Sequence, residues 1–122
     1  MKKILLIEDE SALQKALGDT LKINGYEMLS ALNGQIGLDL AEAKKPDLIL
    51  LDLILPKIDG FEVLKHLKEN PETKDIPVIV LTNLEGIKDV SRVVEMGATT
   101  YLVKSDYSLK EIVSKIKEIL SV

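Results

Sequence analysis

The stretch DLILLDLIL, residues 47–55, is apolar at every position but two, and both exceptions are aspartates. A strand with one solvated face alternates apolar and polar residues. A near-continuous apolar run belongs to a strand covered on both faces, the condition of a parallel sheet flanked by helices. A chain of 122 residues that contains such a strand must supply the helices that cover it, within one domain over residues 1–122.

The rest of the chain supplies them in regular alternation. Ile4 to Ile7 is a short apolar run bounded by lysines and then acids, a strand. From Ser11, Leu13, Ala16, Leu17, Thr20, Leu21 and Ile23 recur at helical spacing, and Asn24-Gly25 provides a stop. Tyr26 to Leu32 reads as a weaker strand. Asn33 is a suitable N-cap for a helix carrying Ile36, Leu38, Leu40, Ala41 and Ala43, with Pro46 beyond its end. Phe61, Leu64 and Leu67 mark a third helix, ending near Asn70-Pro71. Ile76 to Leu81 is a strand with Pro77 at its start, where a missing N–H is tolerated. A fourth helix carries Ile87, Val90, Val94 and Met96 and stops at Gly97. Thr99 to Val103 is a fifth strand, and Leu109, Ile112, Val113, Ile116, Ile119 and Leu120 form the last helical stripe.

Five strand–helix units predict an α/β fold: a doubly wound, five-stranded parallel sheet between two helical layers, flavodoxin-like, in the order 2-1-3-4-5. In that order ligands bind beyond the carboxyl ends of the strands, at the switch point between the first and third. The strand ends are therefore where chemistry is expected. The first ends in Glu8 and Asp9, the third carries Asp52, the fourth ends in Thr82 and the fifth in Lys104. Oxygen ligands gathered without histidine or cysteine favour a hard cation, Mg²⁺ foremost. Asp9 alone could equally cap the helix that follows it. Asp52 has no such alternative, because a carboxylate inside an apolar run is costly unless it is paired or metal-bound.

Composition excludes other classes. A net charge of −4 with no basic run argues against nucleic-acid or anionic-membrane binding, and the absence of cysteine removes disulfides and thiolate metal sites. No signal peptide and no membrane span is legible, so a cytoplasmic location is expected.

In four pieces the sequence closely resembles the receiver domain of two-component response regulators, of the single-domain, chemotaxis-regulator-like kind. The pieces are IED after the first strand, LLDLILPKIDGFEVL around Asp52, VIVLTN ending the fourth strand and GATTYLVK ending the fifth. The resemblance implies that Asp52 accepts a phosphoryl group from the phosphohistidine of a histidine kinase or phosphotransfer protein. It implies that Glu8, Asp9, Asp52 and the backbone carbonyl of Ile54 hold Mg²⁺. Thr82 would bond a phosphoryl oxygen, Lys104 would pair with the phosphoryl group, and Tyr101 would act as a switch residue.

The output surface would be the fourth helix, fifth strand and fifth helix, including Lys88, Tyr101, Tyr107 and Lys110. It would act on a downstream protein or on an output domain of a longer chain, not directly on nucleic acid. Such a domain promotes its own phosphorylation and dephosphorylation without being a turnover enzyme. His66, the single histidine, is expected at the surface with no part in the chemistry.

Three positions depart from the family pattern. Ser105 follows Lys104 where a proline on a cis bond is usual; a non-proline cis bond costs about 3–4 kcal/mol, so a trans bond is expected. Asn83 stands where a small residue follows the threonine. Glu8 replaces the commoner aspartate. In addition, Ile54 and Leu84 are apolar at the positions that flank the attack of water, which predicts a long-lived phosphorylated state.

Two enzymatic or carrier readings fare worse. A metal-dependent phosphatase needs a second acid two residues beyond its nucleophile, where Ile54 stands. A flavin or nucleotide carrier needs an anion-binding loop after the first strand, and EDESALQ repels anions. A phosphorylation-independent interaction module of the same fold is the remaining alternative.

Overall fold

The structure, a computed structural model, describes residues 1–82 and 87–120, with the side chains of 87–90 left aside. Its strands are β1 (Lys3–Ile7), β2 (Glu27–Ala31), β3 (Leu48–Leu51), β4 (Val78–Thr82) and β5 (Thr100–Val103). Its helices are α1 (Ser11–Ile23), α2 (Gly34–Lys44), α3 (Gly60–Glu69), α4 (Ile87–Glu95) and α5 (Leu109–Leu120), with one turn of 3₁₀ helix at Lys104–Asp106. All strands pair in parallel, in the order β2-β1-β3-β4-β5. The expected topology is the observed one.

Alternate residues of the buried strands face two separate cores. Leu5, Ile7, Ile49, Leu51, Val78 and Val80 meet Ala41 of α2, Val63, Leu64 and Leu67 of α3 and Val93 of α4. Ile4, Leu6, Leu48, Leu50, Ile79 and Leu81 meet Leu17 and Leu21 of α1 and Ile112, Val113 and Ile116 of α5. Each fully buried aliphatic side chain contributes roughly 1.5–3 kcal/mol. That burial on both faces explains the unbroken apolar run of β3.

Local signals set the helix boundaries. Asn33 Oδ1 accepts the Ile36 N–H at 2.9 Å and Asp59 Oδ1 accepts the Glu62 N–H at 3.0 Å, so side chains close the first turns of α2 and α3. Ser108 and Glu111 form a reciprocal capping box at the start of α5, through contacts of 3.1 and 3.2 Å. At the other end of α1, Gly25 at φ +89° carries the chain into β2.

Several strand expectations were too long. β2 runs only from Glu27 to Ala31: Tyr26 is buried, but its N–H bonds Leu21 O and so closes α1. β4 starts at Val78 rather than Ile76, and Pro77 lies before it, with its carbonyl accepting from Ile49. β5 begins at Thr100, not Thr99.

Two helical stripes were also misassigned. Val94 is exposed and Val93 is the core residue of α4; Ile87 and Val90 fall among the side chains not described. In α1, Ile23 is exposed and the buried stripe is Gln14, Leu17, Gly18 and Leu21, at i, i+3, i+4 and i+7. A glutamine holds a core position.

Candidate functional site

Four neighbouring strands end along the same edge of the sheet and bring their terminal residues together. Ile7 pairs with Leu51 across β1 and β3, and Thr82 pairs with Val103 across β4 and β5. Glu8, Asp52 and Lys104 each follow the last residue of a strand, and Thr82 ends one. Asp52 therefore lies one residue past β3 rather than within it, although its N–H still donates to Ile7 O at 3.0 Å. Glu8, Asp52 and Thr82 are buried, at 1%, 5% and 0% exposure, while Asp9 is open to solvent.

The Lys104 ammonium bridges the two buried carboxylates. Its Nζ donates to Glu8 Oε1 and Oε2 at 2.8 and 2.9 Å and to Asp52 Oδ2 at 3.0 Å. The trans expectation holds, since no peptide bond among the described residues is cis. The lysine stem reaches both acids from the start of the 3₁₀ turn.

The opposite oxygen of Asp52 accepts the Ile54 N–H at 3.1 Å, so the carboxylate is held from two sides. Glu8, Asp9 and Asp52 each offer an oxygen within 4.8 Å of the others. That donor set, oxygen alone and partly solvated, fits a hard divalent cation.

Charge state follows from this packing. Burial, then hydrogen bonding with Asp52, pushes Glu8 up to about 8, against the pull of Lys104. Burial works against the charge of Asp52 as well, but hydrogen bonds with Glu8, Lys104 and the Ile54 N–H prevail and bring it below the usual value. Burial opposes the Lys104 ammonium too, yet its bonds to Glu8 and Asp52 raise it. Two acids side by side thus have opposite tendencies, and Asp52 is the one kept anionic.

The loop after Asp52 is shaped by two unusual backbone positions. Lys57 has φ +68°, and the Ile58 N–H closes on Pro56 O at 2.8 Å, a γ-turn centred on a lysine. A side chain in that region is strained, so Lys57→Asn is expected to raise stability by about 0.5–1 kcal/mol. An unchanged or lower denaturation midpoint would count against strain at this turn. At Gly60, an added Cβ would lie 2.4 Å from Asp52 O and 2.3 Å from the Leu53 Cα, both backbone. Gly60→Ala must therefore displace the Asp52 loop or α3. We expect a loss of about 1–3 kcal/mol together with weaker divalent-cation binding, read by thermal unfolding and titration.

Of the other sequence-derived positions, Tyr101 is partly buried and packs on the α2–α3–α4 side of the sheet. It pairs with Val80, two residues before Thr82, so Thr82 and Tyr101 face the same side. Asp9 is not the cap of α1: that position is Glu10, exposed, whose side chain makes no capping bond. His66 is exposed, 3.8 Å from Glu62. Tyr107 and Lys110 are exposed on the α5 side. Asn83 and Leu84 lie outside the described residues, as does the side chain of Lys88.

Sequence reasoning missed Gln14, whose amide bonds three carbonyls at the ends of β1 and β2. Counting the α1 period from Leu17, Gly18 and Leu21 would have placed it inward.

Comparison with known proteins fits this architecture. Residues 4–117 match the response regulator receiver domain, and the chain belongs to that family. Its membership implies a phosphoacceptor role in two-component signalling. The DNA-binding dual master transcriptional regulator RpaA of Synechocystis sp. is 38% identical over 98% of this chain and 49% of its own length. The chain spans about half the length of the curated relatives it matches.

Among solved structures, a CheY-like receiver domain protein from Methanospirillum hungatei superposes with TM-score 0.91 at 27% identity, covering 98% of this chain and 94% of that one. The Mn²⁺-bound form of response regulator Rcp1 gives TM-score 0.80 at 36% identity, covering 99% and 93%. Among the described residues, no helix is long and apolar enough to cross a membrane.

Proposed function

We propose that this domain takes a phosphoryl group onto Asp52 from a phosphohistidine, in a reaction that depends on Mg²⁺. The observation that carries the proposal is the Lys104 ammonium held against Asp52 and Glu8 at the edge of a three-carboxylate cluster. An Asp52 oxygen attacks phosphorus, the phosphorus–nitrogen bond to the donor imidazole breaks, and the imidazole leaves with the bonding pair. The reaction needs positioning and charge neutralisation rather than a base, because the nucleophile is already anionic.

The Ile54 N–H and Lys104 fix the Asp52 carboxylate from two sides, leaving it little freedom to rotate. Glu8, Asp9, Asp52 and the Ile54 carbonyl would hold the cation, which supplies Lewis-acid neutralisation of charge on the phosphoryl oxygens. Thr82 and Lys104 would then bond the transferred group. Tyr101, on the same side of the sheet as Thr82, would carry the change to the α4–β5–α5 surface. The domain consumes one donor per acceptor and is no turnover enzyme. Its donor is a histidine kinase or phosphotransfer protein, and its output is a downstream protein or a further domain, as the greater length of its relatives suggests.

Incubation with acetyl phosphate, with and without Mg²⁺, tests the proposal by intact mass. One base- and hydroxylamine-labile phosphoryl group is expected only with the cation. No uptake under any divalent cation would leave the phosphorylation-independent interaction module as the better account. Ile54 is exposed and apolar beside Asp52, so it orients no water. The phosphoryl group is therefore expected to persist for many minutes in donor-free protein with Mg²⁺; decay within seconds sinks that expectation.

A further inference from the structure

Gln14 is a polar side chain in a core position of α1, 8% exposed. Its Nε2 shares two N–H donors among Leu6 O at 3.0 Å, Glu8 O at 3.0 Å and Ala31 O at 2.9 Å. Leu6 and Glu8 are alternate residues of one extended segment, so their carbonyls point the same way, toward β2, where Ala31 O also accepts the Glu8 N–H at 3.0 Å. The Glu8 carbonyl belongs to the peptide that joins Glu8 to Asp9. One amide thus pins the plane from which both acids project.

The amide's orientation follows from its surroundings, since a flip would set oxygen against three carbonyl oxygens. In this orientation Oε1 is buried without a partner among the described residues. A methionine or leucine would fill the same space with no unmet polar atom. The position therefore serves the three acceptors rather than the packing.

We propose that Gln14 is a positioning residue for the cation site: it holds the Glu8–Asp9 peptide so that both carboxylates converge on Asp52. The inference rests on the divalent-cation reading of the cluster. The strain it counters is electrostatic. Asp9 and Asp52 carry like charge and repel, and the chain at Asp9 has left β1 without yet entering α1. Without the clamp, the exposed Asp9 can swing toward solvent. Partners that orient metal ligands in this way change affinity by about 10–100-fold when removed.

The test is titration of the folded protein with Mn²⁺ and Mg²⁺, alongside thermal unfolding without metal. Gln14→Met keeps length and volume but removes the donor. Thr73→Val removes another buried polar group, whose hydroxyl bonds Leu67 O at 2.7 Å at the end of α3, away from the strand carboxyl ends. Gln14→Met is expected to bind either ion about tenfold more weakly. Thr73→Val is expected to unfold at lower temperature with wild-type affinity. Should Gln14→Met fail to fold, Gln14→Asn, whose amide is too short to span the carbonyls, takes its place with the same expectation.

Wild-type affinity in the Gln14 variant overturns the proposal whatever its unfolding temperature. An equal loss in Thr73→Val also overturns it, because general loosening would then be the cause. Wild-type protein that binds neither ion overturns the cation reading itself, and is recognised without any variant.

Discussion

Asp52→Asn is expected to take no phosphoryl group from acetyl phosphate or a phosphorylated kinase, while remaining as well folded as the wild type. The two halves rest on different contacts. An amide oxygen is too weak a nucleophile to displace imidazole or acetate from phosphorus, and neither of the two carboxyl groups clustered with it among the described residues can stand in. Glu8 has both oxygens on Lys104 and is driven toward its protonated form, and Asp9 is open to solvent. The fold survives because asparagine can still accept the Ile54 N–H, and because Lys104 keeps its two contacts with Glu8. Intact mass after donor treatment and a thermal unfolding curve check both halves. Stoichiometric base-labile phosphate on the variant would move the acceptor elsewhere. Lys104→Ala is expected to bind divalent cation at least as well as wild type, since it removes a competing cation from Glu8 and Asp52.

Much of this was legible in the sequence because it rests on periodicity and on strand ends. The run around Asp52 betrayed a doubly covered strand, and the order of units fixed the edge at which Glu8, Asp9, Asp52, Thr82 and Lys104 gather. What was not legible depends on contacts between residues distant in sequence. The bidentate grip of Lys104 on Glu8 joins the first and fifth strand ends, and no local pattern announces it. Gln14 was passed over because a polar residue does not register in a hydrophobic stripe, although the stripe passes through it. Val94 was preferred to its neighbour Val93 for a different reason. Both are apolar, and only the direction in which α4 lies on the sheet tells which one is inside. Strand lengths were overestimated where apolar residues such as Leu53 continue into a buried loop, burying side chains without pairing backbone.

Metal-free protein is expected to lose stability as pH rises from about 5 to above 8, and Mg²⁺ is expected to abolish most of that loss. The site's three interacting ionisable groups act in different pH ranges. Asp52 lies below its ordinary 3.8, so its contribution is complete above that value and is lost only as pH falls through its folded-state value. Lys104 lies above its ordinary 10.5, so its contribution persists below that value and disappears only at higher pH. Glu8 alone moves between. Its carboxyl is raised from 4.5 to about 8, chiefly by burial, so the folded state keeps a proton that the unfolded chain gives up. That proton favours folding below about 4.5, and the advantage drains away as pH climbs toward 8. The full shift corresponds to on the order of 3–5 kcal/mol, or a fall of roughly 12–20 °C in unfolding temperature. A divalent cation binds the ionised carboxylates, so its stabilisation grows over the range in which the proton's fades. Glu8→Gln keeps the buried shape without the titration and should flatten the metal-free profile between pH 5 and 8. Unfolding curves at several pH values, in chelator and in excess Mg²⁺, decide the matter. A metal-free stability that is level or rising across that interval would mean that Lys104 holds Glu8 ionised throughout, and that the cation has no proton to displace.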